Sequence, residues 1–195
     1  MTAGRTNIGQ KSRSWCTPPK YADAVFEFFK GDIELDPCSN EHSLIRARVA
    51  FCLPEHDGLK EDWNCSTIYV NPPYGADRER GTTIRDWLKK CCLAHERHGA
   101  EVLALVPVAT NTSHWKKHVF GKTSGICFLY DTRLKFWFDG RCDDKGAPMS
   151  CAMIYWGNNP ARFVHVFGKF GAALDTTALK ETTEAKEHSD LLVGA

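Results

Sequence analysis

Residues 66–75 have the sequence STIYVNPPYG, and the rest of the chain is organised around this stretch. The β-branched and aromatic run Ile68-Tyr69-Val70 predicts a short buried strand that ends at an Asn-Pro-Pro-Tyr turn. Two consecutive prolines keep the backbone extended and remove two N–H donors, which leaves carbonyl oxygens to point outward. Asn71 adds a side-chain carbonyl and Tyr74 adds a flat aromatic face. These groups together suit a planar exocyclic amine, so the pattern favours methyl transfer to an amino group conjugated with a ring or a carbonyl.

The same tetrapeptide also suits a plain turn in which the tyrosine only covers the edge of the core. Context separates the two interpretations, because a motif of this kind is a hypothesis that its surroundings must support. A ligand-binding turn is expected at the carboxyl end of a strand in an open α/β sheet, where ligand crevices form.

Composition limits the class of protein. The 195 residues include 25 Lys and Arg and 24 Asp and Glu, so the net charge is close to zero. A protein that coats polyanions is therefore not expected, and any contact with nucleic acid must come from a local basic patch. No apolar run approaches membrane-spanning length, and residues 1–14 lack the apolar region of a secretory signal. We expect a cytoplasmic protein with no membrane partner.

Nine cysteines are present, and none of them has Cys-x-x-Cys spacing. Zinc clusters usually show such pairs, and disulfide frameworks belong to small secreted chains. We therefore expect reduced thiols that act as small apolar side chains. His114 and His118 are four residues apart, but no third ligand lies near them in the sequence, so we expect no metal site.

The remaining pattern alternates strands with helices. Thr17 is predicted to cap a helix that starts at Pro18 and ends at Gly31. Further helices are expected over 40–47, after Thr82 or Thr83, and over 113–118. Strands are expected over 33–39, 48–53, 101–108, 126–130 and 151–156, with an edge strand over 162–167. This alternation predicts an α/β domain over 14–170 with a mostly parallel sheet and helices on both faces. Residues 1–13 are expected to be a flexible N-terminus, and 171–195 a polar tail.

Basic residues in several loops are candidates for contact with a nucleic-acid backbone. The charged loop 75–83, which has a glycine near each end, suits a mobile flap beside the site, although an ordinary solvated loop fits it equally well. The candidate DNA-binding residues are Arg78, Arg80, Lys116, Lys117, Arg133 and Lys135.

A series of short motifs occurs in a characteristic order. They are Trp15-Cys16-Thr17-Pro18, Leu35-Asp36-Pro37-Cys38-Ser39, Asp57-Gly58-Leu59, Asp62-Trp63, Asn71-Pro72-Pro73-Tyr74-Gly75, Leu105-Val106-Pro107, Arg133-Leu134-Lys135-Phe136 and Gly146-Ala147-Pro148. The series resembles the phage-type Dam family of DNA adenine-N6 methyltransferases over about residues 14–157. Asn-Pro-Pro-Tyr alone also marks protein-glutamine and RNA methyltransferases, whereas the ordered set is much more specific.

The resemblance implies a Rossmann-like class I methyltransferase fold with an antiparallel last strand, and S-adenosylmethionine as the cofactor. The implied catalytic residues are Asn71, Pro72, Pro73 and Tyr74. Trp15, Thr17 and Pro18 would lie near the methionine part of the cofactor. Asp36, Pro37 and Cys38 take the place of the first cofactor loop, which here departs from the usual glycine-rich version. Asp57 resembles the ribose-binding acid, and Asp62 and Trp63 resemble contacts to the cofactor's adenine.

The implied reaction is methylation of an adenine that is flipped out of the duplex or presented in single-stranded DNA. No large separate recognition domain fits between the motifs, so we expect a short or relaxed sequence preference, in a bacterial or phage-infected cell. Two alternatives stay open. One is a related enzyme acting on RNA adenine, cytosine N4 or protein glutamine, and the other is a non-catalytic nucleic-acid-binding protein. The oligomeric state is not predicted.

Overall fold

The computed structural model describes residues 15–131, 133–138, 141–142 and 146–180. The predicted flexible segment 1–13 lies outside these residues, as does 181–195. The helices are α1 (Pro19–Phe29), α2 (Ile84–His98), α3 (Ser113–His118) and α4 (Pro160–Phe167). The strands are β1 (Leu35–Asp36), β2 (Val49–Ala50), β3 (Thr67–Val70), β4 (Glu101–Pro107), β5 (Gly125–Leu129), β6 (Trp137–Phe138), β7 (Arg141–Cys142), β8 (Cys151–Trp156) and β9 (Gly171–Asp175).

Seven strands form one mixed sheet in the order β2-β1-β3-β4-β8-β5-β9, and β6 pairs with β7 in a separate two-stranded sheet. The pairings from β2 to β4 are parallel, whereas β8 is antiparallel to both β4 and β5, and β9 is antiparallel to β5. The α/β class is thus confirmed. The sheet is mixed, with its parallel part made by the first strands and its antiparallel part by the later ones.

Alternate residues of each central strand pack into two separate cores. On one face Tyr69, Leu103 and Met153 pack with residues of α1 and α4. On the other face Ile68, Val102 and Ile154 pack with residues of α2 and α3. Residues 102–106 of β4 are all buried, as expected for a strand that is covered on both sides. The predicted helices on both faces are therefore present.

The segment after β8 differs from its prediction. Residues 162–167, expected as an edge strand, lie within α4 (Pro160–Phe167), because the Asn159 side chain caps the helix by accepting from the amide of Arg162 and Pro160 occupies the first turn. Residues 171–175, expected within a polar tail, form strand β9 along β5. A Cβ atom at Gly171 would lie 2.1 Å from the carbonyl oxygen of Phe128, so only glycine permits this close pairing.

The helix expected over 40–47 is absent, and this stretch forms turns instead. The side chain of Asn40 accepts a hydrogen bond from the amide of His42, and the Ser43 hydroxyl accepts one from the amide of Ile45. Such local bonds give the backbone an alternative to helical pairing. The second strand is also shorter than expected, since β2 contains only two residues.

None of the helices in the described part of the chain has both the length and the apolar character needed to cross a membrane. Likewise, the described residues bring together no group of three or more His, Cys, Asp or Glu side chains that could hold a metal ion.

Candidate active site

The residues Asn71–Tyr74, which we call the ledge, directly follow β3 at the carboxyl edge of the parallel strands. The side-chain nitrogen of Asn71 donates a 3.0 Å hydrogen bond to the carbonyl oxygen of Trp15. A carbonyl can only accept, so the amide nitrogen must face Trp15, and the side-chain oxygen Oδ1 is turned away from it. The contact therefore presents a hydrogen-bond acceptor at the end of the central strand.

Tyr74 is a buried member of the ledge, with 9% of its surface exposed. Its hydroxyl donates to the carbonyl oxygen of Leu105 over 3.1 Å, and burial raises the pKa of its phenol well above the usual value. Its ring makes edge-to-face contacts with Trp15 and Phe136, at centroid distances of 5.8 and 5.5 Å. In this conformation the tyrosine ring is covered, and stacking of a base on it requires Trp15 or Phe136 to move.

Trp15 and Phe136 themselves stack face to face, with ring centroids 4.7 Å apart and planes 4° from parallel. The backbone of Cys16 pairs with that of Trp137 through two hydrogen bonds, which holds the two segments together. Phe136, which belongs to the motif Arg133-Leu134-Lys135-Phe136, therefore lies against the ledge. Basic and aromatic residues alternate over 133–138, and this alternation is the signal in the sequence that could have identified it.

Thr17 and Pro18 are buried beside the ledge. Helix α1 begins at Pro19 and has Pro18 at its N-cap, so the prediction that Thr17 caps this helix is wrong. The Thr17 hydroxyl instead shares a 2.7 Å hydrogen bond with the hydroxyl of Tyr69, on β3. The segment that contains Trp15 is thereby joined to the strand that carries the ledge.

Asp36, at the end of β1, is a buried carboxylate with 3% of its surface exposed. It accepts hydrogen bonds from the amide of Cys38 and the hydroxyl of Ser43. Burial raises the pKa of Asp36 to about 6, while its bonds from Ser39, Cys38 and Ser43 partly offset this rise. The carboxylate is therefore costly to keep ionised, a property typical of functional sites.

A cavity of about 560 Å³ lies beside the ledge. Its walls come from the loop after β1, the segment after β2, the ledge and α2. The lining includes Pro37, Cys38, Phe51, Cys52, Pro73 and Trp87. Gly58 also lines it, and a Cβ atom at this glycine would lie 1.8 Å from the carbonyl oxygen of Pro37. The cavity wall thus depends on direct backbone contact between two loops.

The three residues predicted to contact ribose and adenine line a neighbouring cavity of about 500 Å³. Asp57 is half-buried there and Asp62 is exposed. Trp63 is a core residue with 2% exposure, and its indole nitrogen donates to the carbonyl oxygen of Gly58 over 2.8 Å. Arg80 lines both cavities.

A protein-family model described as DNA N-6-adenine-methyltransferase (Dam) matches residues 5–158. The chain belongs to this Dam family. The resemblance suggested by the ordered motifs is confirmed, and the chain is a DNA adenine-N6 methyltransferase by family. The match ends just after β8, so α4 and β9 lie beyond it. No curated protein sequence matches this Dam-family chain.

The candidate DNA-binding residues of this Dam-family protein follow strands that run in one direction. Arg78 and Arg80 come after β3, Lys116 and Lys117 after β4, and Arg133 and Lys135 after β5. Because β3, β4 and β5 point the same way, all three groups lie toward the edge that carries the ledge. All except Arg80 are exposed. Their contact with DNA stays a prediction.

Proposed function

We propose that this Dam-family enzyme transfers a methyl group from S-adenosylmethionine to N6 of an adenine that is flipped out of duplex DNA or held in a single strand. The observation that carries this proposal is the orientation of Asn71. Its amide nitrogen donates to the carbonyl oxygen of Trp15, which leaves the side-chain oxygen as an acceptor close to the cavity that Pro73 of the ledge helps to line.

The cavity of about 560 Å³ is the proposed cofactor site. Its volume lies within the range of about 300–1,000 Å³ found for small-molecule sites, and it combines apolar walls with a few polar groups. Pro37, Cys38 and Pro73 would contact the cofactor there, with Asp36 behind them and Asp57 at the neighbouring wall. When bound, S-adenosylmethionine supplies an electrophilic methyl group. The sheet order, with antiparallel β8 beside β4, supports a Rossmann-like class I methyltransferase arrangement.

The ledge activates the amine through hydrogen bonds. The adenine amine is a poor nucleophile because its lone pair is delocalised into the ring. Asn71 Oδ1 and the Pro72 carbonyl oxygen would each accept a hydrogen bond from one N–H of the adenine amine. These two bonds would draw the nitrogen toward tetrahedral geometry and direct its lone pair at the cavity. Positioning of this kind supplies most of the acceleration. No covalent enzyme intermediate is required, so no cysteine has a catalytic role.

Entry of the base involves the aromatic residues. Stacking on Tyr74 would offset part of the cost of unstacking, by about 1–3 kcal/mol. Since Trp15 and Phe136 cover this ring, one of them must shift when the base enters. The exposed basic residues after β3, β4 and β5 would bind the DNA backbone in a sequence-independent way, which supports a short or relaxed target preference. A DNA substrate also supports action in the cytoplasm.

The test uses plasmid DNA and isotopically labelled S-adenosylmethionine, followed by nucleoside digestion and mass spectrometry. N6-methyladenine in short sequence contexts is expected. In Asn71→Ala, transfer should fall by at least about a hundredfold, while calorimetry still detects cofactor binding. N4-methylcytosine, or product formed only on RNA or on protein glutamine, would replace the proposed substrate. Failure of the protein to bind the cofactor would favour a non-catalytic DNA-binding role.

A further inference from the structure

The loop that follows the ledge is an ordered hairpin. The backbones of Asp77 and Thr82 pair through two hydrogen bonds, of 2.8 and 3.1 Å. Gly81 completes the turn with a φ of +66°, a conformation that side chains other than glycine rarely adopt. The loop therefore has a defined shape, which must be fixed relative to the remainder of the site by side-chain contacts.

Arg80 provides that contact through two carboxylates. Its Nε donates to Asp77 Oδ2 over 2.6 Å within the hairpin, and its Nη1 lies 3.3 Å from Asp57 Oδ1 on the opposite loop. Only 18% of the Arg80 side chain is exposed, against 12% for Asp57 and 3% for Asp77. The planar guanidinium allows one residue to contact both acids at once, which a lysine cannot do with the same geometry.

The position of Arg80 connects the ledge with the proposed cofactor cavity. Asp57 immediately precedes Gly58, whose backbone contacts Pro37 and lines the cavity of about 560 Å³. The hairpin begins directly after Tyr74. Arg80 thus ties the segment leading out of the ledge to the loop that forms one wall of the cavity, and it lines both cavities itself.

We infer that Arg80 is a positioning residue for methyl transfer, which holds the ledge against the cofactor cavity, and that it does not contact DNA phosphates. This inference rests on the proposed function. A phosphate contact would draw the guanidinium away from Asp57 and Asp77 and break its ion pairs with two carboxylates whose side chains are only 12% and 3% exposed, which is costly. Arg78, two residues earlier, is exposed and free to meet phosphate without such a loss.

The experiment compares Arg80→Ala with Arg78→Ala, a matched change in the same loop. Cofactor affinity is measured by calorimetry, and binding to a short DNA duplex is measured over a range of salt concentrations. Arg80→Ala should weaken binding of S-adenosylmethionine by about tenfold to a hundredfold, since a hydrogen bond to a charged group is lost, and lower kcat. It should leave the salt dependence of DNA binding unchanged. Arg78→Ala should keep the wild-type affinity for S-adenosylmethionine and reduce the salt slope of DNA binding by about one.

Arg80→Lys and Asp77→Asn guard against a trivial loss of folding. Both keep most of the local volume, and both should give intermediate losses of cofactor affinity with a normal circular dichroism spectrum. A reduced salt slope in Arg80→Ala together with normal cofactor affinity would overturn the inference and restore the phosphate contact. Absence of cofactor binding by the wild-type protein would instead overturn the proposed function, and the inference with it.

Discussion

Replacement of Asp36 by asparagine tests whether a buried carboxylate is retained at the expense of stability. The side chain is 3% exposed, and its partners are the Cys38 amide and serine hydroxyls. Burial raises its pKa from the ordinary value of 3.8 to about 6. Asparagine has nearly the same shape, stays neutral at every pH, and can still bond to an amide and to hydroxyl groups. The variant therefore removes the cost of the charge with little change in packing.

The sign of the effect follows from proton linkage. Below pH 3.8 Asp36 is protonated in both the folded and the unfolded protein, and the charge has no cost. Between pH 3.8 and about 6 the folded protein retains a proton that the unfolded chain has lost, so stability falls as pH rises. Above pH 6 the loss of folding stability stays constant. Because one pKa unit corresponds to about 1.4 kcal/mol, this loss amounts to about 3 kcal/mol.

Asp36→Asn should therefore be more stable than the wild type by about 3 kcal/mol at pH 7.5, but by only about 1 kcal/mol at pH 4.5. Urea unfolding at the two pH values measures both differences. Asp23→Asn, which changes an exposed acid on α1, is the control and should have little effect at either pH. If Asp36→Asn is destabilised at pH 7.5, or gains equally at both pH values, the reasoning is refuted. Reduced cofactor affinity in the stabilised variant would show what the carboxylate contributes.

Two further predictions concern the ledge and the cavity wall. Tyr74→Phe should lose about 1 kcal/mol of stability, because the Leu105 carbonyl loses its phenol donor, but it should retain methyl transfer. Tyr74→Ala should lose about 3–5 kcal/mol of stability and should also lose methyl transfer. Equal methylation rates for the two variants would remove stacking from the mechanism. Gly58→Ala should reduce affinity for S-adenosylmethionine by at least about tenfold, because its Cβ would overlap the Pro37 carbonyl. Gly99→Ala adds backbone strain at a φ of +67° but no overlap within 4 Å, so calorimetry on this control should show unchanged affinity.

Local chemistry explains which parts of the site were predictable. The strand and turn at 66–75 depend on β-branched residues and consecutive prolines, whose backbone preferences act within a few residues. The alternation of strands and helices is likewise local, and it led to the correct α/β class. The ordered motifs were sufficient to identify the Dam family before any geometry was known.

Other features depend on contacts between distant segments. Residues 171–175, expected within a polar tail, form a strand that pairs with β5, and the absence of a side chain at Gly171 permits the close approach of the two backbones. Asn71 acquired its orientation from Trp15, a residue 56 positions away. Arg80 was a plausible DNA contact as a basic loop residue, and only the folded chain reveals Asp57 and Asp77 on either side of it.

The sequence by itself therefore determined the central strand and its turn, the α/β class and the family, because each follows from short-range backbone preference or from motif order. The tertiary structure alone decided which atoms of those motifs face each other. It enclosed Tyr74 under two aromatic rings, turned the Asn71 oxygen outward and placed the Arg80 guanidinium between two acids. These outcomes depend on strand order and loop packing, which no local preference encodes.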